Sequence, residues 1–115
     1  MTEVRYTERT VDDGLLLRLY ACGHSGLFEN GVDIGCRCAS ILISALVNIA
    51  DIAEEQYKCA KNVSVGDGVS SIEITVPKES EKTEFLKGLY FTARQGFCAL
   101  SRYYPDNFSY EEKIN

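Results

Sequence analysis

The apolar residues of this chain switch from a period of two to a helical period and then repeat the switch, and this limits the fold more than any other feature. Residues 3–10 alternate, with Val4 and Tyr6 facing one way and Arg5, Thr7 and Arg9 the other, which is the pattern of a half-covered strand. Asp12-Asp13-Gly14 supplies a tight turn, and residues 15–22 return as a second strand with Leu15, Leu17, Leu19 and Ala21 on one face. From about Cys36 to Lys58 or Asn62, residues Ile41, Leu42, Ala45, Leu46, Ile49, Ile52 and Ala53 recur at three- and four-residue steps, which predicts a helix with Asp33 as its N-cap. A second hairpin, residues 63–68 and 69–76, turns around Gly66-Asp67-Gly68 and stops at Pro77. Ser80 is the expected N-cap of a second helix, whose Phe85, Leu86, Leu89, Tyr90, Ala93, Phe97 and Leu100 share a stripe. Pro105 closes that helix near Tyr104, and the polar residues 106–115, with their scattered aromatics, are assigned no element.

This order, ββαββα, predicts an α+β fold: a mainly antiparallel four-stranded sheet with two helices packed on one face. A length of 115 residues, 45% of them apolar and 25% charged, predicts one folded domain spanning 1–115. Twelve Lys and Arg against 17 Asp and Glu give a net charge of -5, so no broad basic face is expected and nucleic acid is an unsuitable partner. An acidic surface suits a basic polypeptide better. No apolar run approaches the roughly 20 residues that span a bilayer, and Glu3, Arg5, Glu8 and Arg9 near the start do not resemble a signal peptide. The expectation is therefore a cytoplasmic chain with no membrane partner. Five cysteines, Cys22, Cys36, Cys38, Cys59 and Cys98, are an odd number at irregular spacing, which fits a reducing compartment and no disulfide framework.

Residues 23–35 hold Gly23, Gly26, Gly31 and Gly35 with no sustained period, and are expected to form a mobile loop. The loop carries His24, the single histidine of the chain, and ends at Cys36. A thiol at the head of a helix faces unpaired N–H groups and the positive end of the dipole, both of which favour thiolate. The same N–H groups, that of Cys36 among them, can hold the oxyanion of a tetrahedral intermediate. Taken singly, His24 reads as an exposed loop histidine and Cys36 as a small buried residue; brought together, they form a nucleophile and its base. Asp33 and Ser40 are the candidates for supporting roles, Ser40 because it shares the helical face of Cys36, and Asp33 in addition to a plain capping role.

Cys22, His24, Cys36 and Cys38 also form a conceivable zinc ligand set. Two positions apart on a helix, however, side chains diverge by roughly 200°, so Cys36 and Cys38 cannot face one ion, and neither metal nor cofactor is expected. Cys38, Cys59 and Cys98 read as small core or surface residues, and Tyr103-Tyr104 as packing.

Gly23-His24-Ser25-Gly26, then Gly31, Asp33-Ile34-Gly35-Cys36, Ser40, Leu42 and Ser44-Ala45-Leu46 resemble the ribosomal-processing cysteine protease family, Prp, of Firmicutes and some related bacteria. The stretch from Phe85-Leu86-Lys87-Gly88-Leu89 to Tyr103-Tyr104-Pro105 resembles that family's last helix and closing Tyr-Pro. The resemblance implies a catalytic dyad of His24 and Cys36, with Asp33 and Ser40 in the same site. It also implies a homodimer and a glycine-rich loop that moves to admit substrate. The implied substrate is the N-terminal extension of the bacterial large-subunit ribosomal protein numbered twenty-seven, removed after a pair of aromatic residues. A non-catalytic module that binds the same tail is the alternative. The chain departs from the family at Gly35, where a branched apolar residue is usual, and at Arg37 and Cys38, where small apolar residues are usual. Gly35 is expected to loosen the helix start, and Arg37 to place a cation beside the nucleophile.

Overall fold

The computed structural model describes residues 1–115. The alternating segments pair as expected: β1 (Thr2–Val11) and β2 (Gly14–Cys22) form an antiparallel hairpin that places Tyr6 opposite Leu19. Two short strands, β3 (Phe28–Glu29) and β4 (Val32–Asp33), pair with each other, and α1 (Ile34–Tyr57) follows directly. The second hairpin is β5 (Ala60–Gly66) and β6 (Val69–Pro77), followed by α2 (Thr83–Tyr103) and β7 (Phe108–Ile114).

The main sheet has five strands in the order β5-β6-β2-β1-β7, and β7 runs parallel to β1. The expectation of four antiparallel strands in the order ββαββα is therefore overturned: the sheet is mixed and the element order is ββββαββαβ. The added edge strand escapes a reading based on apolar alternation because its third inward position is a carboxylate. Phe108 and Tyr110 face inward beside Thr2 and Val4, but the next inward residue is Glu112, beside Tyr6. Glu112 is accommodated by Arg94 of α2, whose guanidinium is buried, stacks on the Tyr6 ring at 3.9 Å and donates to both Glu112 and the Tyr110 hydroxyl. A cation fixed in this way turns a charged strand position into an inward one.

Both helices cover the same sheet face, and one core cluster draws on all layers: Val4, Tyr6, Leu17, Leu19, Ile72 and Ile74 from the sheet meet Leu46, Ala50 and Ala53 of α1 and Leu86, Tyr90 and Phe97 of α2. Ser80 is not the cap of α2. Its hydroxyl accepts the Lys82 N–H and its carbonyl accepts the Thr83 hydroxyl, which forms a separate turn ahead of the helix. Phe85, expected within the apolar stripe, is exposed, with its ring edge against Tyr57.

At 24 residues, α1 is long and apolar enough by length and composition to cross a membrane, which corrects the expectation that no stretch approaches that size. Its polar residues Ser40, Ser44 and Asn48 are spread among the apolar ones, so no unbroken apolar run marks it in the sequence. Here it packs on the sheet and on α2, with Leu46, Ala50 and Ala53 buried and much of the remaining surface uncovered.

Candidate active site

Two close-packed segments bring the loop and the helix head together. Gly23 follows β2 with φ +94, and a Cβ on it would fall 2.4 Å from the Met1 carbonyl oxygen, so only glycine lets the chain pass there. Its N–H donates to the Gly68 carbonyl (2.8 Å) and its carbonyl accepts the Thr2 hydroxyl (3.1 Å). The backbone beside His24 is thereby tied to the start of β1 and to the β5–β6 turn. From this anchor the exposed His24 ring reaches Cys36, with Nδ1 3.9 Å from Sγ.

Asp33 is the N-cap of α1, as the sequence suggests. Its Oδ1 accepts the Cys36 N–H (3.0 Å) and the Ser25 hydroxyl, and its Oδ2 accepts the Gly26 N–H (3.1 Å) and lies 3.2 Å from Cys36 Sγ. In this arrangement the thiol, as donor, points at Asp33 and not at the imidazole. Partial burial raises the carboxyl's pKa, but the hydrogen bonds from the Ser25 hydroxyl, the Cys36 N–H and thiol and the Gly26 N–H outweigh that effect and hold it well below the ordinary carboxylate range. A pKa depressed by folding stabilises the folded state fully above the unfolded carboxyl's pKa, and the stabilisation is lost as pH falls through the folded value. Acid unfolding should therefore steepen below about pH 4. Asp33→Asn should flatten that limb in urea melts followed by circular dichroism, and an unchanged limb would show that the cap contributes nothing.

The cap corrects one expectation. The Cys36 N–H already donates to Asp33, so it is not free to receive an oxyanion. Gly35 is corrected as well: it lies inside α1, buried in the first turn, and not in the loop with Gly23, Gly26 and Gly31. The loop itself contains the β3–β4 pair, and its last step into α1 is fixed by the Ile34 N–H donating to the Leu27 carbonyl (3.0 Å). Ser40 lies one turn along α1 from Cys36 and lines the same cleft, of about 200 Å³, with His24 and Cys36. The far wall is the β5–β6 turn, Gly66, Asp67 and Gly68. Asp33 stands behind the nucleophile and does not line this cleft.

Sequence reasoning passed over two participants. Ser25 is buried beneath Asp33, and Asn107 donates from Nδ2 to the Ser25 carbonyl (2.9 Å). Ser25 left no signal beyond its place between His24 and Gly26, and Asn107 lies 82 residues away in the chain. Cys38 is exposed and Cys59 buried, all five cysteines are free thiols, and no three His, Cys, Asp or Glu side chains converge as a metal-binding group.

The chain is similar in structure to SMU.848 from Streptococcus mutans, at 18% identity over 100% of this chain and 99% of that one, with a TM-score of 0.63. It is similar to the essential ribosomal processing protease Prp from S. aureus in complex with a covalently linked product peptide, at 19% identity over 98% and 100% of the two chains, with a TM-score of 0.65. The same protease in complex with a substrate peptide matches at 16% identity over 98% and 100%, with a TM-score of 0.61. No family model and no curated protein matches the sequence. The chain therefore has the fold of these proteins over essentially its whole length.

Proposed function

We propose that this chain is a cysteine endopeptidase in which Cys36 is the nucleophile and His24 the general base. The observation that carries the reading is the convergence of the chain's single imidazole and one helix-head thiol, 3.9 Å apart, on one open cleft. It is supported by the likeness in fold to a ribosomal processing protease held with substrate and with covalently linked product peptides.

A small rotation of the exposed His24 ring closes the gap to Sγ, and catalytic hydrogen bonds are commonly long before substrate is bound. His24 takes the thiol proton, Sγ attacks the scissile carbonyl, and the imidazolium returns the proton to the leaving amine. Water then hydrolyses the thioester along the same path. Asp33 holds the helix head and competes for the thiol proton until the ring swings in. Ser40 faces the cleft without an intramolecular hydrogen bond, which leaves its hydroxyl free to meet the developing oxyanion. The β5–β6 turn bounds the far side of the cleft, opposite Ser40 and Cys36.

The substrate follows from the resemblance of the Gly-His-Ser-Gly and Asp-Ile-Gly-Cys segments: the N-terminal extension of a bacterial large-subunit ribosomal protein, number twenty-seven, cut after paired aromatics in the cytoplasm. The test is to incubate the protein with a synthetic peptide spanning such an extension and examine it by mass spectrometry. Two fragments at one bond support the reading. A tight complex with an intact peptide would favour a binding module instead.

The same reading makes the protein a homodimer. Ile41, Ala45 and Ile52 form one outward stripe on α1, and Ile41 is 70% exposed, an apolar surface that a second copy would cover. Ile41→Glu should shift the protein from dimer to monomer in sedimentation velocity at micromolar concentration. A wild type that sediments as a monomer would rule this out.

A further inference from the structure

We propose that Ser25 is a positioning residue of the site, seated in space that Gly35 leaves open, and that its hydroxyl governs how strongly Asp33 holds the thiol of Cys36. The inference rests on the protease reading for its consequence in turnover, but its geometry is independent of that reading.

Ser25 is 2% exposed, although it follows an exposed histidine in a glycine-rich loop. Its hydroxyl and its carbonyl are both committed, through three hydrogen bonds. The hydroxyl donates to Asp33 Oδ1 and accepts the Leu27 N–H at 3.3 Å, and the carbonyl accepts Asn107 Nδ2 at 2.9 Å. One small residue thus joins the histidine loop, the helix cap and the entrance to β7. Its place exists because residue 35 has no side chain. A Cβ on Gly35 would lie 2.3 Å from the Ser25 hydroxyl oxygen, 2.8 Å from the Ser25 Cβ and 3.1 Å from the Phe108 ring. Phe108 is itself buried, so a side chain at 35 cannot turn that way and must displace Ser25.

The chemical effect acts through Asp33. The carboxylate has four donors around it, and the Cys36 thiol is the one that must leave for catalysis. Each donor draws negative charge away from the others. If the Ser25 hydroxyl is lost, more of the carboxylate's charge faces Sγ, the thiol proton is held harder, and a thiolate beside that charge is disfavoured. Ser25 therefore weakens the grip of the cap on the nucleophile without touching substrate.

The test follows alkylation of Cys36 by iodoacetamide as a function of pH, with the modified residue identified by peptide mapping. Ser25→Ala removes only the hydroxyl. It should move the alkylation profile upward by about half a pH unit and slow the reaction at neutral pH by about threefold, a fraction of one hydrogen bond to a charged group, because the lost bond is to Asp33 and not to the sulfur. Gly35→Ala displaces the same hydroxyl from the other side and should move the profile in the same direction. In a peptide cleavage assay both variants should lose kcat with KM little changed. Near-UV circular dichroism identifies folded protein. A folded variant of either kind with the wild-type profile would overturn the proposal, and if Ser25→Ala does not fold, Gly35→Ala decides alone. Alkylation needs no peptide, so a protein that cuts no peptide but shows the shifted profile would refute the protease and leave the role of Ser25 intact.

Discussion

Replacing Cys36 with alanine is expected to reduce cleavage of the extension peptide by on the order of 10⁴-fold or more, because no other thiol lines the cleft and a hydroxyl is a far weaker nucleophile. The fold should survive. The Cys36 side chain is only partly buried, and the contact that caps α1 runs from its backbone N–H to Asp33 and not from the sulfur. His24→Ala should cost about 10²–10⁴-fold, since it removes proton transfer and leaves the thiol in place. Equal cleavage by wild type and Cys36→Ala, measured by mass spectrometry on protein whose thermal melt is unchanged, would refute the assignment of the nucleophile. Equal cleavage by His24→Ala would leave the thiol without its base.

The largest effect on stability should come from the middle of the sheet. Leu19 lies on β2, the central strand, is fully buried, and stands between Tyr6 on one neighbouring strand and Ile72 on the other. Leu19→Ala removes most of an aliphatic side chain where the flanking residues are held in register on both sides and cannot close the gap. A loss of about 2–5 kcal/mol is expected, against the roughly 5–15 kcal/mol that holds a domain together. Urea unfolding should show it as a large drop in midpoint with little change in slope. A shift worth less than about 1 kcal/mol would mean that this part of the core packs more loosely than the structure has it.

The fold was legible in the sequence wherever one physical period repeated. The alternation of Val4 and Tyr6, of Leu17, Leu19 and Ala21, and of Ile72, Ile74 and Val76 marks strands that keep one face in the core, and Asp12-Asp13 and Asp67-Gly68 mark the turns between paired neighbours. What failed were features that depend on partners far along the chain. β7 is paired parallel to β1, so no local turn announces it, and its inward Glu112 looks like a surface residue until Arg94 is set beside it. The two-residue strands β3 and β4 are too short to show a period. Within the site, His24, Cys36 and Asp33 were legible because a lone imidazole, a thiol at a helix head and a capping carboxylate each have a characteristic chemistry. Ser25 was not, because its importance comes from the missing Cβ of Gly35, which only a three-dimensional arrangement discloses.

The neighbour relation of β1 and β7 also sets an order of events during translation. β1 emerges from the ribosome well ahead of β7, so its outer edge stays unpaired until residues 108–114 arrive, and the loop bearing His24 waits for Asn107 before the Ser25 carbonyl is held. The frame of the candidate site is therefore complete only after residue 107 has been added. A nascent chain stalled before that point would carry both reactive groups without the frame that aligns them.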